Sequence, residues 1–219
     1  MKKIFTLVMC FAVALTAAAC SSETSVKTET SVSVSTGDEI QKMLDEAEQN
    51  LNEGKADAAL KIYNDVIEKD SNCAFAYNGR AAIFAGKNDY DAAMKEINKA
   101  IELEPNEAQF ISNRGQLYAN INNVDAALKD FGKAEELDPN YVENYENRGI
   151  LLIANQQFDK AVKDFDKAIE LKPSAVNYNN RGVAYLNLND KAKAAADFKK
   201  ALEIDPNYKT AADNLKLVQ

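Results

Sequence analysis

Residues 77–84 read YNGRAAIF, 111–118 ISNRGQLY, 145–152 YENRGILL and 178–185 YNNRGVAY. Each is followed about ten residues later by a second apolar pattern that ends near Leu-x-Pro. Aligned on these segments, the chain divides into repeats at 40–73, 74–107, 108–141, 142–174 and 175–208. The four arginines (Arg80, Arg114, Arg148, Arg181) all stand at repeat position 7, and the four prolines (Pro105, Pro139, Pro173, Pro206) all stand at position 32. Self-similarity at a fixed period of this length identifies an array of supersecondary units, each unable to bury its apolar face alone.

The residue types within one period specify two packed helices. Position 20 is alanine in every repeat (Ala59, Ala93, Ala127, Ala161, Ala194), and position 8 is small throughout (Ala47, Ala81, Gly115, Gly149, Gly182). Position 24 supplies the bulky partner in Tyr63, Ile97, Phe131, Phe165 and Phe198, and position 27 is small again in Ala100, Ala134, Ala168 and Ala201. Apolar residues at 20, 24, 27 and 28 share one helical face. The proline then ends the second helix, because it lacks the N–H and its ring collides with the preceding turn. After Pro206, Ala211, Leu215 and Val218 form a further stripe, as needed to cover the open end of a stack.

The spacing of 34, 34 and 33 residues between successive arginines, with these residue types, resembles the tetratricopeptide repeat (TPR). That resemblance implies an all-α fold, a right-handed superhelix of five helix-turn-helix repeats closed by a C-terminal capping helix at 209–219. Position 23 is acidic in Glu96, Asp130, Asp164 and Asp197, in the same four repeats that carry arginine at position 7; repeat 1 has Glu46 and Ile62 in the two places. The co-occurrence predicts an arginine–carboxylate bridge between the two helices of each of repeats 2 to 5.

The N-terminus predicts export. Lys2 and Lys3 precede an apolar run from Ile4 to Leu15, and Ala17, Ala18 and Ala19 lead to Cys20. This order is that of a secretory signal peptide over 1–19, and the cysteine after three small residues resembles the lipobox of bacterial lipoproteins. The expectation is a fatty-acylated Cys20 that anchors the chain; the alternative is ordinary cleavage that leaves a free thiol. Ser21 and Ser22 follow, with no aspartate to suggest inner-membrane retention, which favours the outer membrane. Residues 20–37 then form a Ser/Thr-rich tether. The seventeen residues from Ser21 to Gly37 span roughly 23 Å on average as a flexible chain and about 56 to 61 Å when extended. The folded region is expected over 38–219.

Composition removes several functions. Loss of Lys2 and Lys3 leaves 24 basic against 34 acidic side chains, a charge of about −10 that repels nucleic-acid phosphates. There is no histidine, Cys10 leaves with the signal peptide, and Cys73 stands alone once Cys20 is acylated. No catalytic residue, metal ligand set or cofactor is expected, and a protein partner is. By the resemblance, positions 2, 5, 6, 9, 12 and 13 line the concave groove that holds a peptide or helix. The groove candidates are therefore Asn113, Asn147 and Asn180 at position 6 and Gln116 at position 9, with the acidic Glu143 and Glu146. Ile150, Ile153, Val183 and Leu186 add an apolar strip at phases expected to face solvent. The asparagines either contact a partner's backbone or belong to a solvated face or a local interhelical bond. The glutamates favour a basic partner. The carboxylate clamp known in the family needs Lys or Arg in the groove, and these positions hold none, so chaperone tails are not expected. A glycan-binding alternative would use Tyr145 or Tyr178 as a stacking platform, although position 4 is a core aromatic in the family.

Overall fold

The computed structural model describes residues 36–218, and these are helical apart from short connections. The signal peptide, Cys20 and nearly all of the tether lie outside the described residues. The helices follow two to a repeat along the chain: α1 (Thr36–Asn52) and α2 (Ala56–Lys69), α3 (Ala74–Gly86) and α4 (Tyr90–Leu103), α5 (Ala108–Asn120) and α6 (Val124–Leu137). The series continues with α7 (Val142–Ala154) and α8 (Phe158–Leu171), α9 (Ala175–Asn187) and α10 (Lys191–Ile204), and the single α11 (Lys209–Lys216). Each pair occupies one repeat of the sequence, and α11 stands where the cap was expected. None of these helices is long and apolar enough to cross a membrane.

The described residues form two compact units, divided between Leu117 and Tyr118 within α5. In the first, Ala47, Ala59, Tyr63, Ala81, Ala93, Ile97, Ala100 and Phe110 share one core. Phe75 meets Phe110 edge-to-face with ring centroids 5.0 Å apart. In the second, Phe131, Phe165 and Phe198 are fully buried, each beside its position-20 alanine. The small residue at position 8 is a steric requirement. A Cβ built on Gly149 would lie 2.7 Å from Phe165 Cζ, and one on Gly182 would lie 2.6 Å from Phe198 Cε1.

The turn inside each pair has a signature that the repeat alignment did not use. Position 15 takes a positive φ every time, at Gly54, Asn88, Asn122, Gln156 and Asn189. The next residue caps the second helix where it can accept: Asp89, Asn123 and Asp190 take the N–H groups of Ala92, Ala126 and Lys193. Asparagine tolerates the left-handed region; glutamine at φ 60° does not gain from a short local amide. Gln156 is exposed. Gln156→Gly is therefore expected to stabilise the protein by roughly 0.5 to 1 kcal/mol, the relieved strain less the added freedom of the unfolded chain. A rise in the urea midpoint at unchanged slope would show it.

Candidate partner-binding surface

The arginine bridges form as the sequence pattern predicts in repeats 2, 4 and 5, the arginine-bearing repeats that each lie within one unit. Arg80 donates from Nε and Nη2 to Glu96 Oε2 at 2.9 and 2.5 Å. Arg148 donates from Nε to Asp164 Oδ2 at 2.9 Å and from Nη2 to Oδ1 at 2.7 Å, and Arg181 meets Asp197 in the same two-pronged way at 2.8 and 2.7 Å. The remaining nitrogen does what the sequence reading missed, and reaches back to the second helix of the preceding repeat. Arg80 Nη1 donates to Asn64, Arg114 Nη1 to Asn98 and Arg181 Nη1 to Asp166, all at position 25. Repeat 3 has Gly132 at that position, and Glu135 takes the bond from Arg148 at 2.6 Å instead. Each of these arginines is thus a structural clamp. Burial penalises the Arg148 charge, but Asp164 and Glu135 more than offset this, and the guanidinium holds its proton more firmly than a free arginine.

The same geometry decides the tyrosines at position 4. Tyr145 is 3% exposed, its hydroxyl donates to Pro139 O at 2.9 Å, and Arg148 lies 5.5 Å from its ring centroid. Tyr178 packs on Ala175, Ala201 and Ala211 and carries Arg181 on its ring. Neither ring is a free platform for a sugar.

The position-6 asparagines divide. Asn113 Nδ2 donates to Asn78 Oδ1 at 2.8 Å, a bond to position 5 of the preceding repeat. Asn214 repeats the contact from α11 to Asn179 at 2.9 Å. Asn180 is 5% exposed and accepts from Asn179. The local interhelical bond therefore accounts for Asn113, and burial removes Asn180 from a solvent-facing row. Asn147 is half-buried and makes no such bond. Gln116 is half-buried in α5.

The apolar strip divides in the same way. Val183, expected to face solvent, is instead 4% exposed and packs with Ala194 and Phe198. Leu186, Leu215 and Val218 are partly buried against the same cluster, so Val183 is core while Leu186 stays half-buried. Ile150 and Ile153 are half-buried against Leu152, Phe165 and Ala184. On α7, then, Glu143, Glu146, Asn147, Ile150 and Ile153 form one partly exposed stripe.

Glu146 is the perturbed group on that stripe. Burial pushes its carboxyl up, a hydrogen bond from Asn177 pulls it down, Glu143 pushes it up again and Lys172 opposes. The net is a pKa above the ordinary value, so the folded state retains a proton that the unfolded chain has lost. That contribution to stability is present at low pH and lost as pH rises through the folded pKa. Glu146→Gln is expected to be more stable than the parent at neutral pH and to lose that advantage at about pH 4, by thermal unfolding at the two pH values.

Tetratricopeptide-repeat family profiles match residues 44–108, 108–141, 142–175 and 175–208, so together they cover nearly all of the helical array. The chain belongs to the tetratricopeptide repeat family. Among solved structures it is similar to YrrB, described as a TPR protein with an unusual peptide-binding site, at 25% identity and a TM-score of 0.59. That match covers 80% of this chain and 90% of the other. A thermophilic TPR protein of Thermus thermophilus aligns with a TM-score of 0.71 at 18% identity over 82% and 98% of the two chains, a likeness of fold alone. The first TPR domain of Spaghetti, solved bound to an HSP90 peptide, aligns with a TM-score of 0.50 at 26% identity, over 51% of this chain and 90% of that one. No curated protein matches the chain.

Proposed function

We propose that this protein is a membrane-anchored scaffold that binds a partner protein's peptide or helix along the first-helix surface of repeat 4. The observation that carries the reading is the partly exposed stripe on α7, where Glu143, Glu146 and Asn147 flank Ile150 and Ile153. Apolar contact area beside carboxylates and one uncommitted amide suits a segment that alternates apolar and basic side chains. The peptide-binding site described for YrrB and the peptide bound by the Spaghetti domain support a binding role for a chain of this family. Binding without catalysis is the accompanying inference, from a histidine-free chain with no paired thiols. The anchor is Cys20 and the site of action the outer membrane, on the strength of the lipobox-like sequence and the residues after it. A second reading, a subunit that helps assemble an outer-membrane complex, uses the same stripe and anchor.

Crosslinking in intact cells tests the proposal, with the parent compared against a variant carrying Glu146→Gln and Asn147→Ala. Loss of one specific crosslinked protein, with the variant folded and still labelled by radioactive palmitate, is the expected result. An unchanged crosslink pattern would remove binding from α7, and palmitate labelling that survives Cys20→Ser would remove the anchor.

A further inference from the structure

The second helices carry a charge pattern that the functional reading does not use. Position 22 is lysine in Lys61, Lys95, Lys129 and Lys163, and position 26 is lysine in Lys99, Lys133 and Lys167. Repeats 2, 3 and 4 therefore place two lysines four residues apart on one helix face, an arrangement that weakens a helix by repulsion. The position-26 lysines are answered by a carboxylate three residues on, as in Lys99–Glu102, Lys133–Glu136 and Lys167–Glu170. Lys163 is exposed and makes no hydrogen bond or ion pair among the described residues. Asp159 stands four residues before it at the favourable spacing, so the helix accounts for the lysine and still leaves its ammonium exposed at the surface.

In repeat 4 that lysine borders a cleft of about 590 Å³ built by α6, α7 and α8. Leu128 and Leu152 give it an apolar floor, and Lys160, Lys163 and Lys167 line it from α8. Arg148 also lines it, but Asp164 and Glu135 occupy the guanidinium and Glu170 pairs with Lys167, so the charge left for a ligand belongs to Lys160 and Lys163. The corresponding cleft of repeat 2, about 550 Å³, has Glu102 among its lining residues and no leucine. Of these two clefts only that of repeat 4 has leucines in its lining; Lys167 is paired with Glu170, and Lys160 and Lys163 make no ion pair among the described residues. The cleft uses Tyr145, Arg148 and Leu152 of α7, a different stripe from Glu146, Asn147 and Ile150.

We propose that the α6–α8 cleft of repeat 4 is a second docking site, which takes an acidic segment of a protein partner. Its aspartate or glutamate side chains meet Lys160 and Lys163, and an apolar side chain beside them covers Leu128, with the buried Leu152 beneath. Charge complementarity selects the occupant: the lysines attract carboxylates, and the leucines reward a peptide over a bare anion. Two docking surfaces of opposite preference on one repeat let the protein hold a basic and an acidic segment at once.

The test is fluorescence anisotropy of the full chain with a labelled peptide of repeating Glu-Glu-Leu, beside a Gln-Gln-Leu control. Lys163→Glu with Lys160→Ala removes the cationic wall while placing Glu before Lys167 at the favourable i,i+4 spacing, so the helix is kept. A Lys160→Ala, Lys163→Ala variant gives the same comparison without a new charge. The expected result is binding of the glutamate peptide only, weakened at least about tenfold in both lysine variants. Glu146→Gln with Asn147→Ala is expected to leave it unchanged. Equal binding by the lysine variants, no binding by the parent, or lysine-dependent binding of phosphatidylglycerol vesicles in place of the peptide would each overturn the assignment.

Discussion

Asp164→Ala is expected to lower the stability of the protein by about 2 to 3 kcal/mol, because it strands a guanidinium that the fold has largely taken out of water. The Arg148 side chain is 16% exposed and that of Asp164 8%, and the two share a two-pronged bond. The expected loss lies below the usual cost of breaking a buried pair because Glu135 remains on Nη1. Since Arg148 touches helices of two successive repeats, α6 and α8, the loss should loosen both. Hydrogen exchange is expected to quicken in α6 as well as in α7 and α8. Replacing both partners, Arg148→Met with Asp164→Leu, is expected to recover most of the loss in urea unfolding, since a packed apolar pair carries no desolvation cost. A double variant as unstable as Asp164→Ala would show that the clamp acts by something other than compensating charge.

How much of this was legible in the sequence follows from which contacts repeat with it. Period and helix pairs were readable because every repeat restates them, and the position-7 to position-23 bridge because repeats 2 to 5 carry both of its residue types. The second bond of each arginine was not: Asn64, Asn98 and Asp166 differ in type, and at Gly132 the partner shifts to Glu135. The candidate surface failed where one local element overrides the period. Val183 holds the position that Ile150 leaves partly open in repeat 4, but the C-terminal segment packs Leu215 and Val218 against its cluster. A repeat next to the cap cannot be read by the phases of an internal repeat. Asn113 and Asn180 looked like a recognition row because their position is periodic, yet the partners that bind Asn113 and Asn214 lie 35 residues back. Only the packing of successive first helices shows that such amides serve the stack. The left-handed residue at position 15 was available in principle as Gly54, Asn88, Asn122 and Asn189, and Gln156 alone hides the pattern.

Phe165→Ala is expected to have the largest effect of any single change in repeat 4, a loss of about 3 to 5 kcal/mol. The ring is fully buried, and it packs with Leu152, Ala161 and Ala184, with Ile150 and Ile153 outside them. It also lies against Gly149 so closely that a Cβ there would come within 2.7 Å of Cζ and 2.9 Å of Cε2. The glycine and the phenylalanine are therefore one steric unit, and a double-mutant cycle can separate this from simple area burial. In the parent, Gly149→Ala forces the ring out of its place and is expected to cost about 1 to 3 kcal/mol, although alanine is the better helix former. In the Phe165→Ala background the ring is gone, and the added methyl fills part of the cavity while keeping its propensity gain of about 1 kcal/mol. The same substitution should then change sign and stabilise. If Gly149→Ala costs as much without the ring as with it, position 8 is small for some reason other than Phe165. The close packing of α7 on α8, which sets out the exposed stripe of α7, would then rest on contacts other than this pair.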